Sequence, residues 1–588
     1  MRQFFKMFFA ALLAIGIFSI IAIIIFFAWI AGIASSVSSD KTETGKAAVL
    51  YLDLSQVIRE QVQDNPFSGL GGDDNYDNPG LYDIVRLIHY AKSDSAVKGI
   101  YIKCNGNPNG FATSEELRNA LADFKSGKKF IYAFADVIPQ RAYYVANIAD
   151  KVYANPKGGL DWKGFSLEYM FFKQTLDKLG IEPQIFYAGK FKSATEPFRA
   201  TEMTDANRLQ STVFLNDLYN RFLIETATAR HTDTATLHQL ANSMTIQTAA
   251  DAVKYQLLDG VRYDDEVKEE IRKRLSLADK DKINFVPIGK YAKAVNYKNG
   301  SGSDKIAVIF AQGDIVDGRG DKGDIGGDTY RGLIRTARMD DNIKAIVVRV
   351  NSGGGSAMAS EDMWRELELA KKKKPVVLSF GDYAASGGYY MSCGADSIFT
   401  QPNTLTGSIG VFTIIPNMQR LFSDKLGITF DGVKTGPFAD MPTASRPLTE
   451  MEKKFLQSDI DSIYQTFLTR VATGRHINTA LVDSIGQGRV WTGQRGIALG
   501  LADRIGGLQD AVDCAARMAK SGSYRIKEYP EPLSWWETLT GGYKKTIESQ
   551  AMEKELGVEG MSMYQSIRKL KKSFNSAQAR MPFDCFIN

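Results

Sequence analysis

A serine between small residues at a strand-to-helix junction is a candidate nucleophile, and Asp382-Tyr383-Ala384-Ala385-Ser386-Gly387-Gly388-Tyr389-Tyr390 has that form. It follows a predicted strand, residues 375–380, and precedes a helical stretch. Such a placement exposes the Ser386 hydroxyl and leaves the free N–H groups of a helix start, beginning with Gly387, beside it. A second predicted strand ends at Asn351 and runs into Ser352-Gly353-Gly354-Gly355-Ser356, whose backbone can turn N–H groups toward a ligand. A nucleophile beside backbone donors implies acyl transfer, with a tetrahedral oxyanion to be stabilised.

A serine hydroxyl stays weak until a base takes its proton, and histidine is the usual base. The chain has four histidines. His231 and His476 recur at matching places in two halves of the chain and read as structural, while His89 and His238 lie in surface-type helices. A lysine can serve instead if desolvation or neighbouring cations lower its pKa toward neutrality. The candidate is Lys192 in Tyr187-Ala188-Gly189-Lys190-Phe191-Lys192-Ser193-Ala194-Thr195-Glu196-Pro197-Phe198, with Lys190 and Lys434 as fallback bases.

The elements that must position these residues appear twice. VKGIYIKCN, Val97 to Asn105, matches IKAIVVRVN, Ile343 to Asn351, and the same offset pairs Ser114-Glu115-Glu116 with Ser360-Glu361-Asp362 and Tyr143-Tyr144 with Tyr389-Tyr390. With small shifts, DKLGI at Asp177 recurs at Asp424, and Leu258-Asp259 recurs as Ala502-Asp503. Ser114 and Ser360 read as N-caps of amphipathic helices. Each copy alternates strand and helix, which predicts an α/β layered domain with crossover connections. The copies diverge chemically at three places. Pro108, which lacks an N–H, faces Gly354; Gln140 faces Ser386; and Thr435 stands opposite Lys192 when Gly189 is aligned with Gly432. Serine and donors therefore belong to one copy and lysine to the other.

The expected organisation is an N-terminus and anchor at 1–45, a first repeat at 46–295, a second at 304–522 and an extension at 523–588, with Gly300 to Asp304 as linker. From Met7 to Ala34 the sequence is almost wholly apolar and uncharged, long enough for a spanning helix. Arg2 and Lys6 precede it and the next basic residue is Lys41, so the N-terminus is expected in the cytoplasm and the body outside it. After Gly522, Trp535, Trp536 and lysine-rich helical patterning suggest a peripheral appendage, with membrane-surface contact as an alternative.

Composition narrows the function. With 588 residues, 44% hydrophobic, 24% charged and a net charge of +5, the chain is ordinary globular protein and gives no electrostatic case for nucleic acid. Cys104, Cys393, Cys514 and Cys585 form no CxxC and read as buried free thiols. No HExxH and no GxxxxGK[ST] occurs, so neither a metal, nor a nucleotide, nor any other cofactor is expected.

NSGGGS, AASGGYY, LTGSIGVF and GKFKSATEPF, four motifs in the right order, together with the apolar span and the repeat, resemble the long-form bacterial signal peptide peptidase family of the protease IV type. The resemblance implies a tandem repeat of two Clp-protease/crotonase-like α/β domains behind one transmembrane helix. It implies a serine and lysine dyad, Ser386 and Lys192, an oxyanion hole from the Gly354 and Gly387 N–H groups, and Ser408 of TGSIG positioning the lysine. Relatives usually have proline where Gly353 stands, which makes this loop more flexible. Implied substrates are signal-peptide remnants and similar hydrophobic peptides, in a homotetramer at the inner membrane with its catalytic body outside the cytoplasm. The rival within the same fold is an acyl-CoA enzyme that uses paired donors for an enolate; a non-catalytic membrane scaffold is the other.

Overall fold

The computed structural model describes residues 2–39, 43–62, 79–298, 300–531 and 576–581. Trp535, Trp536, Cys585 and most of the expected extension lie outside them. Arg2–Ser39 is one helix, and its stretch Lys6–Ile25 has a mean hydropathy of 3.0, the one candidate span among the described residues.

Two sheets follow, the first parallel and the second parallel but for one antiparallel edge pair, Leu405–Gly407 with Val490–Thr492. In the first, Val97–Lys103 lies between Phe130–Ile138 and Ala48–Asp53, with Lys151–Leu160 and Gly260–Val261 beyond one side and Phe285–Pro287 on the other. The second repeats the pattern. Ile343–Ser352 lies between Val376–Ala385 and Asp304–Gln312, and Tyr524–Tyr529 takes the edge that Phe285–Pro287 holds in the first. Central strands are covered on both faces, so they read as unbroken apolar runs: Ile346, Val347, Val348 and Val350 are all fully buried.

The duplication extends to individual hydrogen bonds. Tyr143 Oη donates to the Leu257 carbonyl at 2.6 Å, and Tyr389 Oη to Leu501 at 2.9 Å. Asp259 accepts from Val152 N–H and Asp503 from Ile398 N–H, both at 2.8 Å. His231 and His476 end the helices Asp205–Arg230 and Glu450–Arg475 in the left-handed conformation, at φ of 53° and 55°. They terminate helices, as the recurrence implied.

Helix starts differ from expectation. The helices run Phe111–Ser126 and Ala357–Lys371, so Ser114 and Ser360 sit within the first turns. Ser356 is the cap of the second, accepting from Ala359 N–H at 3.2 Å, while Ser360 Oγ donates back to the Ser356 carbonyl at 2.7 Å. The first helix is capped from the other repeat: Asp382 accepts from Thr113 N–H at 2.9 Å and from Thr113 Oγ1 at 2.6 Å. A carboxylate at a helix N-terminus is favoured by both the orphan donors and the dipole. Cys104, Cys393 and Cys514 are buried free thiols.

A third, mixed sheet joins strands from both repeats. It contains Gly354–Ser356, Val411–Asn417 and two outsiders, Glu182–Ala188 from the first repeat and Gln578–Arg580 from the chain's C-terminal region. The appendage reading is thus corrected for Tyr524–Tyr529, an edge strand of the second sheet, and for residues 576–581, which are packed into the body.

Candidate active site

Glu182–Ala188 leaves its own repeat's sheet and pairs antiparallel with Val411–Asn417, Ala188 against Val411 through Glu182 against Asn417. The chain past Ala188 therefore emerges beside the turn that precedes Val411. There Phe191 N–H donates to the Gln487 carbonyl at 2.7 Å and Lys192 N–H to Gly189 at 3.0 Å. Gln210 clamps the loop: its Nε2 donates to the Phe191 carbonyl at 3.1 Å and to Ser193 Oγ at 2.8 Å, and its Oε1 accepts from Val490 N–H at 3.1 Å.

This brings Lys192 Nζ to 2.8 Å from Ser386 Oγ, 3.1 Å from Ser408 Oγ and 3.2 Å from the Ser408 carbonyl. Lys192 is 1% exposed and both serines 0%. Among the described residues no carboxylate forms an ion pair with this amine, and burial alone holds its pKa well below the ordinary 10.5. A neutral amine has two N–H groups and one lone pair. Ser408 can take the first two, through its hydroxyl and carbonyl, which leaves the lone pair to Ser386. The fallback bases are elsewhere: Lys190 is exposed and Lys434 pairs with Asp440 at 2.6 Å.

Ser386 is not an ordinary cap. It stands at the N-cap of Gly387–Ser392 but its side chain makes no capping bond, and its backbone is strained at φ 52°, ψ −113°. Ser386 N–H donates to the Gly407 carbonyl at 2.8 Å, and Tyr390 N–H to the Ser386 carbonyl at 2.7 Å, which holds the turn. Ser408 has a matching φ of 51°, pinned by its N–H on the Arg489 carbonyl at 2.7 Å.

The glycine loop differs from expectation by one residue. Gly354 N–H donates to Ser352 Oγ at 3.1 Å, and that hydroxyl donates onward to the Gly313 carbonyl at 2.6 Å. Gly355 instead pairs with Ala579 of the inserted strand. Gly354 shapes the bend, at φ +99°: a methyl group on it would lie 2.1 Å from the Ala579 oxygen and 2.7 Å from the Gly387 nitrogen. Gly354→Ala would therefore push the neighbouring Gly387 N–H out of place and is expected to lower kcat by about 10²–10³-fold, as large as the loss of one oxyanion donor. Gly353→Ala, whose methyl would meet only Met581 Cβ at 3.8 Å, should leave steady-state peptide hydrolysis near wild type.

In the first repeat the corresponding place is closed. Gln140 donates to the Gly164 carbonyl at 2.8 Å and accepts from the Lys163 and Gly164 N–H groups, and Asn107 donates to Ser114 Oγ at 2.9 Å. Thr435, aligned with Lys192, is exposed. Sequence reasoning missed Gly355, Gln210 and Gly488. A methyl on Gly488 would press on the Lys192 backbone at 2.7 Å. The Gly-Gln-Gly run at residues 486–488 was the available signal for that last close approach.

Peptidase family S49 matches residues 122–278 and 368–521, one segment in each repeat. "Protease 4" of Salmonella typhi is 33% identical over 567 residues, covering 93% of this chain and 91% of that protein. "Serine protease SPPA, chloroplastic" of Arabidopsis thaliana is 30% identical over 483 residues, 81% of this chain and 69% of that one. A solved ClpP1 mutant from Listeria monocytogenes is matched over 35% of this chain and 94% of its own, at 12% identity and a TM-score of 0.24. By the family segments and the long-form relatives spanning nearly its whole length, the chain belongs to peptidase family S49 and is a serine protease of tandem α/β architecture.

Proposed function

We propose that this protein is a membrane-anchored endopeptidase in which Ser386 attacks and Lys192 is its general base, acting on cleaved signal peptides and similar hydrophobic peptides. One observation carries the reading: a buried amine, with no carboxylate partner among the described residues, lies 2.8 Å from the serine oxygen. Neutral Lys192 accepts the Ser386 proton as Oγ attacks the scissile carbonyl. The developing oxyanion is held by the Gly387 N–H and the Gly355 N–H, each worth about 3 kcal/mol. Lys192 returns its proton to the leaving amine, and water then hydrolyses the ester. No step needs a metal or other cofactor.

Substrate enters as an extended strand between Gly354–Ser356 and Val411–Asn417, with main-chain bonds giving affinity. A cavity of about 340 Å³ beside this groove, lined by Ile415, Phe438, Met441, Phe455 and Leu456, supports an apolar preference. The N-terminal helix supports single-pass anchoring in the inner membrane, with Arg2 and Lys6 on the cytoplasmic side and the protease outside. A homotetramer is the assembly the family resemblance implies.

A fluorophosphonate followed by peptide mass spectrometry tests the dyad. Label is expected on Ser386 of the wild type and absent in Lys192→Ala; label retained without the lysine would end the assignment. Ser408→Ala removes one of the contacts that orient the amine. It is expected to lower kcat by about 10²-fold with KM unchanged, since misplacing the base by about 1 Å has that cost and no substrate contact is lost.

A further inference from the structure

We propose that Gln210 is a positioning residue for the reaction, tying the first-repeat loop that carries Lys192 to the second-repeat strand that carries its partners; the proposal rests on the Ser386 and Lys192 reading. Nucleophile and base come from different repeats, so their separation of 2.8 Å is fixed only where the repeats are bonded to each other. Residues 487–490 supply that place. Gly488 N–H donates to the Ile409 carbonyl at 2.6 Å, and Ser408 N–H to the Arg489 carbonyl at 2.7 Å. Val490 pairs with Gly407, whose carbonyl accepts from Ser386 N–H at 2.8 Å. Both serines thus hang on this one run.

The Lys192 loop is joined to the same run in two ways. Gln487 takes the loop's main chain directly, its carbonyl accepting from Phe191 N–H at 2.7 Å and its Oε1 from Lys190 N–H at 3.2 Å. Gln210 is the second join. Its Oε1 accepts from Val490 N–H at 3.1 Å, while its Nε2 donates to the Phe191 carbonyl at 3.1 Å and to Ser193 Oγ at 2.8 Å, one residue on each side of Lys192. Asn207 Oδ1 accepts from the same Nε2 at 3.1 Å, and Gln210 is 1% exposed. A buried amide bonded at both ends leaves the residues flanking the base little freedom, which is what a preorganised site requires.

The duplication separates this role from folding. Asp205–Arg230 and Glu450–Arg475 are both 26 residues long, are capped by Thr204 and Thr449, and end at His231 and His476. Gln210 and Phe455 therefore hold the same place in the two helices. Phe455 is exposed and lines the cavity beside the groove. The helix forms without an amide in the repeat that lacks the base, so the amide belongs with the chemistry of the repeat that has it.

Gln210→Leu in the full chain, purified in detergent and given a hydrophobic reporter peptide, tests this. It is expected to lower kcat about 10–100-fold with KM unchanged, since a base misplaced by about 1 Å costs up to about 10²-fold and no substrate contact is lost. Fluorophosphonate labelling of Ser386 should slow by the same factor yet still reach every chain, and the pH at which kcat/KM rises should stay put because the amine remains buried. Ser193→Ala, which removes one contact and leaves the bridge to Val490, should show the same pattern at about 2–10-fold, the worth of one hydrogen bond, whether or not Gln210→Leu folds. Wild-type kcat in either variant overturns the proposal. So does a loss of activity matched by a fraction of chains that never label, which is a folding defect. Reporter cleavage at the normal rate in Lys192→Ala is a separate result and overturns the dyad reading beneath it.

Discussion

Ser386→Ala is expected to lower kcat for a hydrophobic peptide by about 10⁵–10⁶-fold, and Lys192→Ala by a similar factor, with the double variant no worse than either single one. Groups that act as a unit are non-additive in this way, because removing either member already stops the step that both perform. About 10⁶-fold corresponds to about 8 kcal/mol of barrier. A Lys192→Ala enzyme with ordinary kcat would remove the base assignment. The pH profile carries the same information. Burial lowers the Lys192 pKa well below 10.5, and only the neutral amine can accept a proton, so kcat/KM should rise with pH through that lowered pKa.

Stability moves with pH for the same reason. Between the lowered folded pKa and the unfolded value, the unfolded chain binds a proton that the folded chain does not, so folding stability rises as pH rises through this interval. Lys192→Met removes the dependence. At neutral pH it should raise the Tm while abolishing hydrolysis, which calorimetry and a peptide assay on one sample would check. An unchanged or lower Tm would mean that burial of this amine costs the fold nothing.

The second large effect concerns the joint between the repeats. Arg349, at 0% exposure on the central strand of the second sheet, donates to Glu60 at 2.8 Å and to Glu116 at 2.6 Å, both from the first repeat. It also donates to Ser379 Oγ at 2.9 Å and to the Phe380 carbonyl at 3.0 Å, and Glu60 accepts from Asn351 Nδ2 at 2.8 Å. Arg349→Ala leaves two buried carboxylates without their cation and is expected to cost about 3–5 kcal/mol. Denaturant titration followed by tryptophan fluorescence would read it. Adding Glu60→Gln and Glu116→Gln should restore a large part of the loss, because the penalty lies in the uncompensated charges rather than in the missing side chain. No recovery in the triple variant would place the cost in packing instead. Asn351 leads directly into the glycine loop, so Arg349→Ala should also reduce activity at temperatures where the protein stays folded.

Much of the fold was legible because its causes are local or periodic. Strands at Val97–Lys103, Ile343–Ser352 and Val376–Ala385 read as apolar runs because both faces are covered, and duplication exposed itself as repeated residue types. Ser386 and Lys192 stood out as candidates for a related reason. Two copies of one unit share what folding requires, so a serine opposite Gln140 and a lysine opposite Thr435 stand out as chemistry. The helix starts were misread because several serines near one terminus compete for the same orphan N–H groups, and only the settled backbone shows that Ser356, not Ser360, wins.

What the amino-acid sequence determined by itself is therefore the α/β repeat and the two candidate residues, Ser386 and Lys192, one from each half, whose side chains lie 2.8 Å apart. Tertiary structure alone decided three things. Glu182–Ala188 abandons its own sheet to pair with Val411–Asn417, a contact between distant segments that no local pattern encodes. Gly355 rather than Gly354 presents its N–H to the groove, because the Ser352 hydroxyl has already claimed the neighbouring one. Residues 576–581 lie between Gly354–Ser356 and Val411–Asn417 because an open strand edge pairs with whichever extended segment reaches it, and reach is a property of the folded chain.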